Sequence, residues 1–191
     1  FGRNSAAAVA AAALVSDPED LLLILPADHF IAYPDRFHAA IEAGIDRATK
    51  GDVVTFGIEP TFPSTGYGYI ELEDACGAVR RAKAFVEKPD AATAARYVSS
   101  GRYVWNAGIF LFKASAMLDA FQSHAPDILS AVRDSLPSVD RPFEAGDAIV
   151  IDPDGFENCP SISVDYAIME KLSSIYGVPV EMGWSDVGDY G

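Results

Sequence analysis

Leu21-Leu22-Leu23-Ile24-Leu25 runs straight into Pro26-Ala27-Asp28-His29. An unbroken apolar run of this length suits a strand buried on both faces, as in a parallel sheet covered by helices. Ligands of open α/β sheets gather outside the carboxyl ends of the strands. Asp28, directly after such a strand, therefore stands where a ligand is expected, although a lone Asp there is more often a turn or cap residue.

The flanking segments extend this pattern. Asn4 or Ser5 can cap a helix through the alanine-rich run to Val15, and Asp17-Pro18-Glu19-Asp20 breaks it. Phe37, Ile41, Ile45 and Ala48 recur at helical spacing between Pro34 and Lys50, and Asp52 to Ile58 reads as another strand, completing a βαβ unit. Residues 66–71 and 78–87 flank the polar turn Glu73-Asp74 and read as an antiparallel pair. Asp90 caps a helix that Gly101 stops, before a strand from Trp105 to Lys113. Helices follow from Ala114 to Ser135, irregular chain from Pro137 to Pro160, a helix from Val164 to Leu172 and a strand from Ile175 to Glu181. The expected fold is α/β: a Rossmann-like open mixed, mainly parallel sheet flanked by helices.

The 191 residues, half of them apolar, suit one domain with a substantial core. A formal net charge of −14 argues against a nucleic-acid binder, which needs basic faces to displace counterions. It leaves room for small anions at a local site. Ala6 to Val15 falls short of the roughly 20 apolar residues that span a bilayer, so no membrane association is expected. Cys76 and Cys159 have neither metal-ligand nor disulfide spacing, and a reducing cytoplasm is the default location.

Phe85-Val86-Glu87-Lys88-Pro89 sets a carboxylate beside an ammonium at a strand's end. Successive strand side chains point to opposite faces, so the two suit separate tasks rather than one flat salt bridge. Lys88 is a point charge suited to phosphate and Glu87 an acceptor for hydroxyls, a combination that fits a phosphorylated sugar. Taken alone, a solvated charge pair is the plainer reading. Asp186, between Trp184 and Gly188, supplies a second carboxylate, and with Asp28 it could share one Mg²⁺. His29 reads as a hydrogen-bonded structural residue. Gly66-Tyr67-Gly68-Tyr69 is no dinucleotide fingerprint, but its glycines permit close backbone approach or a bulge. Asn106 could cap a turn or read sugar hydroxyls.

The order of these fragments carries more information than any one of them. Leu25-Pro26-Ala27-Asp28-His29, Thr65-Gly66-Tyr67-Gly68-Tyr69-Ile70, Phe85-Val86-Glu87-Lys88-Pro89, Trp105-Asn106-Ala107-Gly108, the run from Ser163 to Lys171 and Trp184-Ser185-Asp186-Val187-Gly188 together resemble the sugar nucleotidyltransferases, in particular their mannose-specific members. The resemblance covers nearly the whole chain. It implies transfer of GMP from GTP to α-D-mannose 1-phosphate with release of pyrophosphate. It further implies Asp28 and Asp186 as Mg²⁺ ligands, Lys88 at the sugar phosphate, and Glu87, Asn106, Gly68 and Tyr67 at the mannose. Asp165 would support the sugar pocket, and Arg3 and Asn4 would lie near the nucleotide.

The family's glycine-rich, Arg-containing nucleotide loop has no counterpart among these residues. A nucleotidyltransferase domain over 1–191, incomplete at the amino end and cut at the carboxyl end, is therefore expected. GTP and mannose 1-phosphate are the expected partners, without nucleic acid or membrane; a homo-oligomer is an open option. The rival readings are a UDP- or dTDP-sugar pyrophosphorylase and a non-catalytic regulatory homologue that binds nucleotide sugar.

Overall fold

The computed structural model of the chain describes residues 2–74, 76–137 and 149–187. The chain divides into two compact units, Phe1–Leu22 with Lys113–Leu172 and Leu23–Phe112 with Ser173–Gly191.

The first unit is helical. α1 (Asn4–Val15) buries Ala6, Ala7, Val9, Ala10 and Ala13, a broad face of small side chains that lets neighbouring helices approach closely. It packs against α4 (Ala114–His124), α5 (Pro126–Ser135) and α7 (Val164–Ala167). Pro126 at the first position of α5 divides what reads as one helical stretch, because proline lacks the N–H that would continue the α4 ladder. A five-residue α6 (Pro153–Glu157) interrupts the stretch expected to be irregular, and a 3₁₀ turn (Met169–Lys171) follows α7. Neither Asn4 nor Ser5 caps α1: the helix opens at Asn4, whose φ is +62°. The Asn4 side chain accepts the adjacent Ser5 N–H at 2.7 Å, while the Ser5 hydroxyl accepts the Val164 N–H at 2.9 Å.

The second unit carries α2 (Pro34–Thr49), α3 (Ala91–Ser100) and most of the sheet. Its strands are β1 (Leu21–Ile24), which straddles the unit boundary, β3 (Val53–Ile58), β4 (Tyr69–Leu72), β5 (Arg80–Val86), β6 (Tyr103–Lys113) and β7 (Ile175–Pro179), in the order β1-β6-β3-β7-β5-β4. β4 pairs with β6 as well, so β3, β7, β5, β4 and β6 form a closed circuit. Two glycines let this circuit tighten. A methyl group at Gly57 would run into Val104, and one at Gly177 into Leu72. α2 covers a core of Phe37, Val54, Phe56, Ile109, Leu111 and Val178.

Three expectations need correcting. β1 is not buried on both faces: it lies at the edge of the sheet order, Leu21 and the following Leu25 are exposed, and the other residues of the strand are only half-buried. An apolar run reports what a strand can bury, and its place in the sheet decides how much it does bury. The sheet is mixed, as expected, but parallel pairing does not predominate. β3–β7 is parallel, whereas β3–β6, β4–β5, β4–β6 and β5–β7 are antiparallel. β6 also separates β1 from β3, so the two strands flanking α2 are not neighbours. Local signals fared better. Asp90 caps α3 by accepting the Thr93 N–H at 2.7 Å, and Gly101 ends it at φ +66°.

A pair of short strands, β2 (His29–Ile31) and β8 (Trp184–Asp186), forms a separate antiparallel ladder. Neither is legible in the sequence as a strand.

Candidate functional site

Gly68, Glu87 and Asn106 meet because β4 pairs on both sides. Tyr69 stands opposite Val86 in one ladder and Trp105 in the other. One step outward along both registers brings Gly68 level with Glu87 and Asn106. The Asn106 N–H donates to the Gly68 carbonyl at 2.8 Å. A Cβ at Gly68 would collide with Glu87 Oε2 and sit 3.3 Å from Asn106 Cβ, so only glycine lets the three approach this closely. The side chain of Asn106 is also fixed: Oδ1 accepts the Gly108 N–H at 3.1 Å and the Thr55 hydroxyl at 3.2 Å. Accepting a backbone N–H identifies that atom as the amide oxygen. Its Nδ2 therefore lies toward Gly68, 3.6 Å from where a Cβ would stand. Thr55, fully buried in β3, is a supporting residue that the sequence reading missed; a lone hydroxyl in the apolar run Val53-Val54-Thr55-Phe56 was its only signal.

Glu87 and Lys88 lie beyond β5, which ends at Val86, so strand alternation does not govern them. Lys88 has φ +44°, a left-handed conformation that costs an L-residue about 1–2 kcal/mol. It brings Nζ to 4.0 Å from Glu87 Oε1, against the expectation that the two would face apart. The Glu87 side chain is 10 % exposed and that of Lys88 57 %, so the carboxylate is walled in while the ammonium reaches outward. Backbone strain of this kind persists where the surrounding fold enforces it, and such places are often ligand sites.

Asp28 and Asp186 come together through the β2–β8 ladder. His29 is the Cα partner of Asp186, and the Val187 N–H donates to the Asp28 carbonyl at 3.0 Å. Asp28 is exposed and Asp186 half-buried. The pairing brings their backbones together, and carboxylates are hard oxygen donors of the kind that suit a divalent cation completing its shell with water and phosphate. Among the described residues no group of three or more His, Cys, Asp or Glu is gathered as for a metal ion. His29 is hydrogen-bonded, as expected: its Nδ1 accepts the Trp184 indole N–H at 3.1 Å.

Tyr67 lies between the two groups. Its ring packs edge-on to Trp105 at 5.1 Å and to Trp184 at 5.2 Å, so it joins the Gly68 side to the strand that carries Asp186. A cavity of about 610 Å³ at the carboxyl ends of β3 and β7 is lined in part by Gly57, Ile58, Pro179, Val180 and Trp184. Arg3, Asn4 and Asp165 belong to the helical unit. Arg3 donates to the carbonyls of Phe156 and Glu157 at the end of α6, and Asp165 is half-buried in the first turn of α7. Gly188, the last residue of the sixth motif, lies outside the described residues.

Comparisons with known proteins identify the family. The chain is 42 % identical over 199 residues to mannose-1-phosphate guanylyltransferase of Escherichia coli (strain K12), with 99 % of this chain and 41 % of that protein covered. It is 45 % identical over 196 residues to the alginate biosynthesis protein AlgA of Pseudomonas aeruginosa, covering 100 % of this chain and 40 % of that protein. The chain thus spans about two-fifths of the length of the curated relatives it matches. Among solved structures, one titled mannose-6-phosphate isomerase from Helicobacter pylori superposes with a TM-score of 0.87 at 34 % identity, covering 97 % of this chain and 72 % of that one. The family model for nucleotidyl transferases matches residues 1–190. The chain belongs to the nucleotidyl transferase family.

Proposed function

We propose that the protein transfers GMP from GTP to α-D-mannose 1-phosphate, giving GDP-mannose and pyrophosphate. The observation that carries this reading is the meeting of Gly68, Glu87 and Asn106 beside the outward-reaching Lys88. The name of the Escherichia coli relative supports the same substrate class. In the reaction an oxygen of the sugar phosphate forms a bond to the α-phosphorus of the nucleotide, the bond from that phosphorus to the bridging oxygen breaks, and pyrophosphate leaves. The nucleophile is already an anion and needs no general base, so catalysis consists of alignment and charge neutralisation.

Glu87, held nearly buried, accepts hydrogen bonds from sugar hydroxyls, and Asn106, braced through its Oδ1, presents Nδ2 as a donor. Gly68 keeps the space between them open. Lys88 meets the sugar phosphate. Asp28 and Asp186 would hold Mg²⁺, which when bound neutralises phosphate charge. No described helix is long and apolar enough to cross a membrane, and the cytoplasm is the proposed location.

The test is pyrophosphate release by the protein as its gene encodes it, across a panel of nucleoside triphosphates and sugar 1-phosphates, with Mg²⁺ present and withheld. GTP with mannose 1-phosphate should lead the panel, and only with the metal. Preference for UTP or dTTP with another sugar would reassign the substrate, and undiminished turnover without divalent metal would remove the aspartates from the metal role.

A further inference from the structure

We propose that His29 and Trp184 form a prop that sets the orientation of the Asp186 carboxylate, making His29 a positioning residue; this rests on the reading of Asp28 and Asp186 as a cation site. The Trp184 indole can only donate, and it donates to His29 Nδ1 at 3.1 Å. A ring nitrogen that accepts carries no hydrogen, so the imidazole N–H sits on Nε2. That nitrogen faces Asp186, 4.0 Å from Oδ2. The two rings are held perpendicular with centroids 5.2 Å apart, and only 11 % of the His29 side chain is exposed.

The backbone enforces the same geometry. His29 and Asp186 are cross-strand partners, and Ile31 and Trp184 are partners two residues along, so all four side chains lie on one face of the ladder. At 4.0 Å the Nε2–H lies outside direct hydrogen-bond range. It biases the carboxylate electrostatically and stands one short movement, or one bridging water, from a full bond. Imidazoles and carboxylates behind a metal's direct ligands commonly do this, and their loss weakens metal binding about 10- to 100-fold. Tyr67 against Trp184 extends the prop toward Gly68, linking the two halves of the site through ring contacts.

Two measurements on the full chain test the proposal. ¹⁵N-histidine NMR should show His29 as one tautomer, protonated at Nε2, and Trp184→Phe should mix the tautomers. Titration with Mn²⁺ alone, followed by EPR, should show binding to the unaltered chain. His29→Ala should weaken it about tenfold or more. His29→Gln, whose amide N–H can reach toward Asp186, should recover part of the loss, and it carries the test should His29→Ala not fold. A His29 protonated at Nδ1, or equal Mn²⁺ affinity in the unaltered chain and both His29 variants, would overturn the prop and leave the two-aspartate reading intact. An unaltered chain that takes up no Mn²⁺ would overturn both.

Discussion

The group around Gly68 and the group around Asp186 are built on different principles. Gly68, Glu87 and Asn106 are set by three strands of the main sheet, with Asn106 buried and its Oδ1 doubly engaged. Asp186 stands on a ladder of two three-residue strands and Asp28 just before it, with the Asp28 carboxylate exposed. The Gly68 group is closely packed, and an added methyl there would have to displace the Glu87 carboxylate. The aspartate side is lightly framed and depends on a few side-chain neighbours such as His29. The contrast suits the proposed division of labour. Discriminating a sugar's hydroxyls needs fixed donors and acceptors, whereas a cation that carries several waters and phosphate oxygens needs only carboxylates within reach.

Changes on the sugar side should therefore be the more severe. Gly68→Ala should have the largest effect, because the new methyl drives into the Glu87 carboxylate. Turnover with mannose 1-phosphate should fall about 100-fold, the scale of a 1 Å misplacement at a reacting group. Overpacking should cost about 1–3 kcal/mol in denaturant unfolding. Retained activity would show that the Glu87 carboxylate can move aside without disturbing the site.

Lys88→Gly separates strain from function. It relieves the left-handed backbone and should raise stability by up to about 1 kcal/mol, while turnover collapses with the loss of the ammonium. A destabilised Lys88→Gly chain would mean that the Lys88 side chain contributes more to folding than its exposure suggests. On the aspartate side, Asp28→Asn should change unfolding stability by no more than about 0.5 kcal/mol, as for an exposed site, and abolish the metal dependence of any remaining activity. The smallest effect is confined to alkaline solution. Burial, with the Glu71 carboxylate to which its hydroxyl donates at 2.9 Å, pushes the Tyr103 phenol up to about 12, against about 10 in an unfolded chain. The folded state keeps this proton longer, so the associated stability is present below about pH 10 and lost as pH rises through about 12. Tyr103→Phe should flatten that decline in unfolding midpoints measured from pH 9 to 12.

The same contrast governs what the sequence made legible. α3 was readable to within a residue because its signals, the Asp90 cap and the Gly101 stop, act within a few residues. The β4–β5 pair was readable from its polar turn. The β2–β8 ladder was not: three residues per strand are too few to show alternation, and their pairing joins segments far apart in the chain. β1 misled because burial depends on which strands lie beside it, a property of topology that a local apolar run does not encode. The residues proposed to contact the sugar were singled out through the order of their motifs. Their convergence on one point depends on β4 pairing with both β5 and β6, and no local pattern in Gly68, Glu87 or Asn106 announces it.

The most direct test of the account is where the sugar phosphate sits. In the ¹⁵N-labelled chain, mannose 1-phosphate should shift the backbone amides of Gly68, Glu87, Lys88 and Asn106, and Lys88→Ala should weaken those shifts without altering the rest of the spectrum. Shifts confined instead to Arg80, Arg102 and Glu73 around the β3–β7 cavity, with Gly68 and Asn106 unmoved, would contradict it.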